Sequence, residues 1–299
     1  MTKTKNIPCK ELSFGKLEFG ICLLFGAWDL EFKSYEYLSS TVHCPPSAEF
    51  PPFATCGIMP FHHPATEAQL ENQASEKKEI RPIVLKNGIF VVGHPRSGTS
   101  LACQLLQSAG VEFPSDFGGD EYNKSGYFEL ESGKELEKKL IDKAMTEENV
   151  VELNKIVERL NSSTGLTGLK IVHVPALFFF RHIAKDKKIR AIFIFRNPAD
   201  VRSSMFKRGI SQFKLSWFDN NNALVAAHEN MPKSIVISYE ALLAGRPGVK
   251  RAFKKIGFNV DMGVIRKDEQ TQKNSRVMLT ADEKRLYKVL LKLERESCR

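Results

Sequence analysis

From Ile80 onward the chain alternates short apolar runs with longer stretches whose apolar residues recur every three to four positions. Gly88-Ile89-Phe90-Val91-Val92 reads as a strand. Residues 100–109 follow as a helix, with Leu101, Leu105 and Leu106 on one face and Gly110 as its stop. Residues 131–160 are charged and helical in period. Residues 168–174 are a second strand, and Pro175 opens a helix to about residue 184. A third strand at 190–195 is too apolar for an exposed sheet face, and a helix over 199–207 follows it. Residues 234–238 are a fourth strand, then come helices at 240–243 and 249–256, and a last helix at 281–293. Strands alternating with helices predict a three-layer α/β fold: a central, mostly parallel sheet with helices on both faces. Ligands of such folds sit beyond the carboxyl ends of the strands.

Residues 1–79 keep no period. Ser13-Phe14-Gly15-Lys16-Leu17-Glu18-Phe19 is loosely echoed at residues 24–32, and a stretch with Pro45, Pro46, Pro51, Pro52, Pro60 and Pro64 leads into a polar linker at 67–79. This pattern predicts a disordered or poorly ordered extension. A translated stretch upstream of a start at Met59 and a folded regulatory module are the other readings. The apolar run at residues 19–28 is too short to span a bilayer. Lys3, Lys5 and Lys10 before it give it some likeness to a signal peptide, but Glu11 and Glu18 interrupt the approach.

Charge divides the chain the same way. Of 44 Lys/Arg and 35 Asp/Glu, residues 1–80 hold 7 and 10, and residues 81–299 hold 37 and 25. The later part therefore favours anionic partners. Four of the six cysteines lie in the first 56 residues, and residues 81–297 hold Cys103 alone. No internal disulfide can close that domain, which fits a reducing, cytoplasmic location.

Candidate chemistry begins where the first strand turns into the first helix, at Gly93-His94-Pro95-Arg96-Ser97-Gly98-Thr99-Ser100. Backbone N–H groups of such a loop and of the helix N-terminus form an anion cradle, to which Ser97, Thr99 and Ser100 add hydroxyls. The spacing is close to G-x-x-x-x-G-K-[ST], but Thr99 stands where that pattern needs Lys, and the cation has moved to Arg96. A second cluster, Arg196-Asn197-Pro198-Ala199-Asp200-Val201-Arg202-Ser203-Ser204, follows the third strand. Its Arg196 and Ser204 can grip a phosphate together through charge-assisted bonds.

The two clusters together resemble the sulfotransferases that use 3′-phosphoadenosine 5′-phosphosulfate (PAPS), a family with a P-loop-type fold. Residues 95–100 are similar to its P-[KR]-S-G-T-[ST] loop, and residues 196–204 to its R-[ND]-P-x-D-v-x-x-S segment. Ser125-Gly126-Tyr127-Phe128-Glu129 and Val236-Ile237-Ser238-Tyr239-Glu240-Ala241-Leu242-Leu243 extend the resemblance to about residues 88–260. It implies that Arg96 contacts the phosphosulfate, that Ser97, Gly98, Thr99 and Ser100 hold the 5′-phosphate, that Arg196 and Ser204 hold the 3′-phosphate, and that Tyr239 lies near the adenine. The family's R-K-G element is only partly present, as Arg266-Lys267-Asp268.

Two residues compete for the acceptor's proton. His173 lies in Lys170-Ile171-Val172-His173-Val174-Pro175, similar to the family's K-x-H-L-P with one residue added, and it reads equally as a packed core histidine. Glu129 is the rival, since other branches use a glutamate after the loop; it reads equally as a structural carboxylate. The implied reaction is sulfuryl transfer from PAPS to a hydroxyl or amine of a small-molecule, lipid or glycan acceptor. Acceptor contacts are expected from residues 113–124 and 208–222. No metal, nucleic-acid partner or stable membrane span is expected. Two other classes stay open. A P-loop nucleotide kinase or NTPase would need the missing lysine, and a non-catalytic anion- or nucleic-acid-binding protein would need aromatics interleaved on a basic face.

Overall fold

The computed structural model describes residues 80–121, 126–142, 146–181, 189–265 and 277–299, all within a compact unit spanning Leu70–Arg299. The N-terminal extension 1–79, Ser125 and Arg266-Lys267-Asp268 lie outside the described residues. Five strands form one all-parallel sheet: β1 Gly88–Val92, β2 Val111–Glu112, β3 Leu166–Ile171, β4 Arg190–Phe195 and β5 Ser234–Ser238, in the spatial order β2-β3-β1-β4-β5.

Strand side chains alternate between faces, so each strand feeds two cores. On one face Phe90, Val92, Phe193, Phe195 and Val236 are buried with Leu136, Leu153 and Leu224. These three come from helices α2 (Glu131–Asp142), α3 (Glu147–Asn161) and α6 (Trp217–Glu229). On the other, Ile89, Val91, Ile192, Ile194 and Ile237 pack against Leu105, Leu242 and Phe253, from α1 (Thr99–Gln107), α7 (Tyr239–Leu243) and α8 (Pro247–Lys255). The other α-helices among the described residues are α4 (Leu177–Phe180), α5 (Pro198–Phe206) and α9 (Ala281–Cys298). No described helix is long and apolar enough to cross a membrane.

The structure departs from the sequence pattern at three places that matter for the site. The helical stretch expected over 131–160 is two helices, because Thr146 caps a new one by accepting from the Asn149 N–H at 3.2 Å. The second expected strand ends at Ile171 rather than 174. The Val172 and His173 N–H groups turn from the sheet to Glu137 Oε2, at 3.0 and 2.8 Å. Residues 217–222, expected within a variable loop over 208–222, are instead the first part of α6, which is capped by Ser216 at the Asp219 N–H.

The last helix closes one edge of the sheet. Among the described residues, strand β5 has a strand partner on one side only. Its Val236 N–H donates to Ser297 Oγ at 3.0 Å, and its Ser238 N–H donates to Glu294 Oε1 at 2.8 Å. Both acceptors are on α9 and buried, so these two backbone donors of the edge are met by side chains.

Candidate anion site at the carboxyl end of the sheet

The chain leaves β1 toward α1 and β2 on one side of the sheet, and leaves β4 toward α5 and β5 on the other. The crevice between the ends of β1 and β4 is thus the topological switch point, where open α/β sheets bind ligands. Residues 93–98 and Arg196 flank it.

The loop's shape follows from its glycines. A Cβ at Gly93 would run into the Ile194 carbonyl of the neighbouring strand, so the loop leaves the sheet at closest approach. Gly98 caps α1 with φ +93° and offers no side-chain acceptor to the first-turn N–H groups. Arg96 also has a left-handed backbone, φ +71°. Its Nε donates to Ser204 Oγ on α5 at 3.2 Å. Burial, and then the nearby Arg208 guanidinium, lower the Arg96 pKa from its ordinary value. Ser97 is fully buried, and its Oγ has no hydrogen-bond partner.

Arg196, at the end of β4, is 4% exposed. Its Nη1 donates to the Arg96 carbonyl at 3.4 Å, and its guanidinium lies over the Tyr239 ring at 4.4 Å. Its own carbonyl accepts from Trp217 Nε1 at 3.0 Å. Arg196 Nε is buried with no partner. Two orphaned buried donors, Ser97 Oγ and Arg196 Nε, thus stand beside Arg96. Buried polar groups are nearly always paired, and an anion with several acceptor oxygens is the group that would pair these.

The two candidate bases have different surroundings. Glu129 Oε1 makes an ion pair with the buried Lys170 ammonium at 2.7 Å. Lys170 also donates to Ser100 Oγ at 3.1 Å and to the Tyr127 carbonyl at 2.7 Å. Glu129 is therefore one wall of a cage around a cation beneath α1. His173 is 7% exposed and its Nδ1 lies 3.1 Å from Glu137 Oε2. Because that oxygen already accepts two backbone N–H groups, Nδ1 is assigned as the donor, which makes Nε2 the acceptor of a neutral ring. Burial raises the Glu137 pKa, while His173 and the two N–H groups pull it back. The Gly93 N–H donates to the Ile171 carbonyl at 3.1 Å, which brings the His173 segment beside the phosphate loop.

Several residues near the crevice escaped the sequence reading. His94, 2% exposed, is held down to a pKa of about 4, mainly by burial; its ring packs edge-on against Phe213, 5.4 Å between centroids. Arg208, just past α5, donates to the Tyr127 hydroxyl at 2.9 Å, and Tyr127 in turn bonds Asp120. Arg208 and Asp120 lie in the two segments expected to contact the acceptor, but only the folded chain shows that Tyr127 joins them. Lys170 carried a visible signal: a lysine inside an otherwise apolar strand needs a buried partner. Tyr239, expected near an adenine, is placed under Arg196 and against Gly98, whose Cβ, if present, would run into the Tyr239 ring.

No family model matches the chain, and no curated protein matches it. Among solved structures it is similar to the sulfotransferase domain from the Synechococcus PCC 7002 olefin synthase. That match has 15% identity, covers 72% of this chain and 98% of that one, and has a TM-score of 0.43. A sulfotransferase domain from the curacin biosynthetic pathway matches at 12% identity, over 71% of this chain and 98% of that one, with a TM-score of 0.43. A mouse sulfotransferase complexed with PAP matches at 15% identity, over 67% and 73%, with a TM-score of 0.37. Likeness at this level assigns no role to any residue.

Proposed function

We propose that this protein is a sulfotransferase that moves a sulfuryl group from PAPS to a hydroxyl or amine of a small-molecule, lipid or glycan acceptor. The observation that carries this reading is the pair of orphaned buried donors, Ser97 Oγ and Arg196 Nε, on the two sides of the β1–β4 crevice. A nucleotide with phosphate groups at both ends of its ribose would satisfy both at once. PAPS supplies the sulfuryl group and leaves as adenosine 3′,5′-bisphosphate.

The residues divide the work as follows. Ser97, Gly98, Thr99 and Ser100, with the first-turn N–H groups of α1, hold the 5′ end of the nucleotide. Arg196, oriented by the Tyr239 ring and the Arg96 carbonyl, binds its 3′-phosphate, with Ser204 beside it. Arg96 reaches between the two groups, fixed in direction by Ser204. It meets the charge that grows on the leaving oxygen, and its position before reaction makes that stabilisation effective. Such transfer is in-line and loose, so positioning and charge do most of the catalysis.

His173 takes the acceptor proton on Nε2. Glu137 holds Nδ1 and so fixes the tautomer, as a carboxylate does in other acid–base histidines. Glu129 is tied to Lys170 and serves structure. Arg208, Tyr127 and Asp120 line the acceptor side.

Titration calorimetry with adenosine 3′,5′-bisphosphate and, separately, ATP with magnesium tests the class. Micromolar or tighter binding of the first and at least a hundredfold weaker binding of the second supports sulfuryl transfer. The reverse order would favour a P-loop kinase or NTPase.

A further inference from the structure

A second cleft opens at the opposite end of the sheet. It has a volume of about 720 Å³ and lies against Gly88, Arg190 and Ser234, the first residues of β1, β4 and β5. The phosphate loop and Arg196 follow the last residues of β1 and β4. Strands of this length separate the two ends by roughly 16 Å, at ~3.3 Å per residue. The cleft is therefore no part of the transfer site.

Its charges come from separate segments. Lys86 precedes β1, Arg190 opens β4, Lys233 precedes β5, and Lys255 ends α8. Among the described residues that line it, Glu296 is the one carboxylate, and Lys292 lies 4.0 Å from it. Four cations from separate segments thus line one concavity, Lys86, Lys233 and Lys255 exposed and Arg190 partly buried. Arg190 is the least exposed of the four. Its guanidinium lies over the Phe258 ring at 4.6 Å, and its Nη1 reaches the Ile256 carbonyl at 3.5 Å. Partial burial lowers its pKa, with no carboxylate acting against that shift. Lys255 is steered inward by a 3.2 Å bond to the Ser297 carbonyl. A stacked, half-buried arginine beside three lysines is a receptor for multivalent oxyanions, because a guanidinium fork matches phosphate or sulfate oxygens and neighbouring ammonium groups add charge. The volume suits a small ligand rather than a polymer.

We propose that this cleft binds a compact polyanion carrying two or more phosphate or sulfate groups. The proposal is independent of the sulfuryl-transfer reading.

The test is titration calorimetry of the full chain with inorganic tripolyphosphate at physiological salt. Three proteins are compared: wild type, Lys86→Ala/Arg190→Gln/Lys233→Ala, and the equally charged control Lys250→Ala/Lys284→Ala/Lys288→Ala, whose lysines are exposed and lie outside the cleft. The cleft variant should bind at least tenfold more weakly than wild type, and the control within twofold. If the triple variant does not melt cooperatively, Lys86→Ala/Lys233→Ala replaces it, with at least a threefold loss expected. Parallel titrations with inositol hexakisphosphate and a sulfated heparin disaccharide identify which oxyanion the cleft prefers. No binding to wild type, or equal losses in cleft and control variants, overturns the proposal; the second result would mean general attraction or capture by the phosphate loop.

Discussion

The Arg196 guanidinium lies over the Tyr239 ring at 4.4 Å, and the edge of the same ring occupies the space a side chain at Gly98 would need. One aromatic residue thus touches both the phosphate loop after β1 and the arginine after β4.

Arg196→Ala should weaken binding of adenosine 3′,5′-bisphosphate by about 2–5 kcal/mol, the range for losing a buried charge-assisted partner. Binding of adenosine 5′-phosphate should change little. Calorimetry with the two nucleotides checks this, and equal losses for both would remove the 3′-phosphate from Arg196.

Gly98→Ala should be destabilising twice over, through its positive φ and through the Tyr239 ring. The backbone part is about 1 kcal/mol. Adding Tyr239→Ala should relieve the clash but not the backbone part. Denaturant melts of the two single variants and the double variant separate them, and strictly additive effects would show that ring and loop are uncoupled.

His173→Asn should lower turnover by about 10²–10⁴-fold, the usual contribution of a general base. Its bisphosphate affinity should stay within about twofold of wild type. Glu129→Gln should act on stability instead. It leaves the Lys170 ammonium, 4% exposed, without its counter-charge, a loss that costs about 3–5 kcal/mol when a buried pair is broken. Lys170→Met added to Glu129→Gln should recover much of the melting temperature. Slow turnover with an unchanged melt in Glu129→Gln, and normal turnover in His173→Asn, would exchange the two roles.

His94 gives the protein a predictable acid sensitivity. Its folded pKa of about 4 lies below the ordinary 6.5, so the unfolded chain binds the extra proton first. Stability is complete above pH 6.5 and falls as pH drops toward 4, by on the order of 3 kcal/mol. Glu137 works in the opposite sense, since its raised pKa makes its contribution shrink as pH rises. His94→Phe keeps a ring beside Phe213 and removes only the histidine's share. The stability difference between wild type and variant should therefore move in the variant's favour between pH 7 and 5. A difference independent of pH would place the His94 pKa near 6.5 in the folded state.

A chain beginning at Glu79 should bind adenosine 3′,5′-bisphosphate as the full chain does and melt cooperatively. The motivation is the absence of period and the separate charge balance of residues 1–79. Insolubility or a broadened melt would show that the extension packs on the domain.

Four of the five described strands and the phosphate loop were legible in the sequence because their cause is local, whereas the two-residue β2 was too short to leave a pattern. Phe193 and Phe195 alternate with Ile192 and Ile194 into two cores, so β4 has no polar face to disguise it. Gly93 and Gly98 mark the loop because only they fit its backbone. The end of β3 was not legible, since Val172 is as apolar as the strand before it, and the strand stops because Glu137, 35 residues earlier, takes its N–H. Helix α6 was missed for a related reason: its Asn220 and Asn221 look like loop residues, yet both are fully buried. Asn220 Oδ1 accepts from the Val174 N–H, and Asn221 donates back to the Trp217 carbonyl. The Arg208–Tyr127–Asp120 chain joins segments 81 and 7 residues apart, a relation no spacing rule encodes.

Helix α9 has a consequence for how this protein behaves in a crowd of its own kind. With Ser297 and Glu294 holding the N–H groups of Val236 and Ser238, these two donors of β5 are closed to a visiting strand. Those two acceptors sit in the final six residues of the chain. Trimming that tail would leave the hydrogen-bonded sheet intact and still expose two adjacent donors on an apolar strand. The damage would show first as concentration-dependent self-association, before any loss of nucleotide binding.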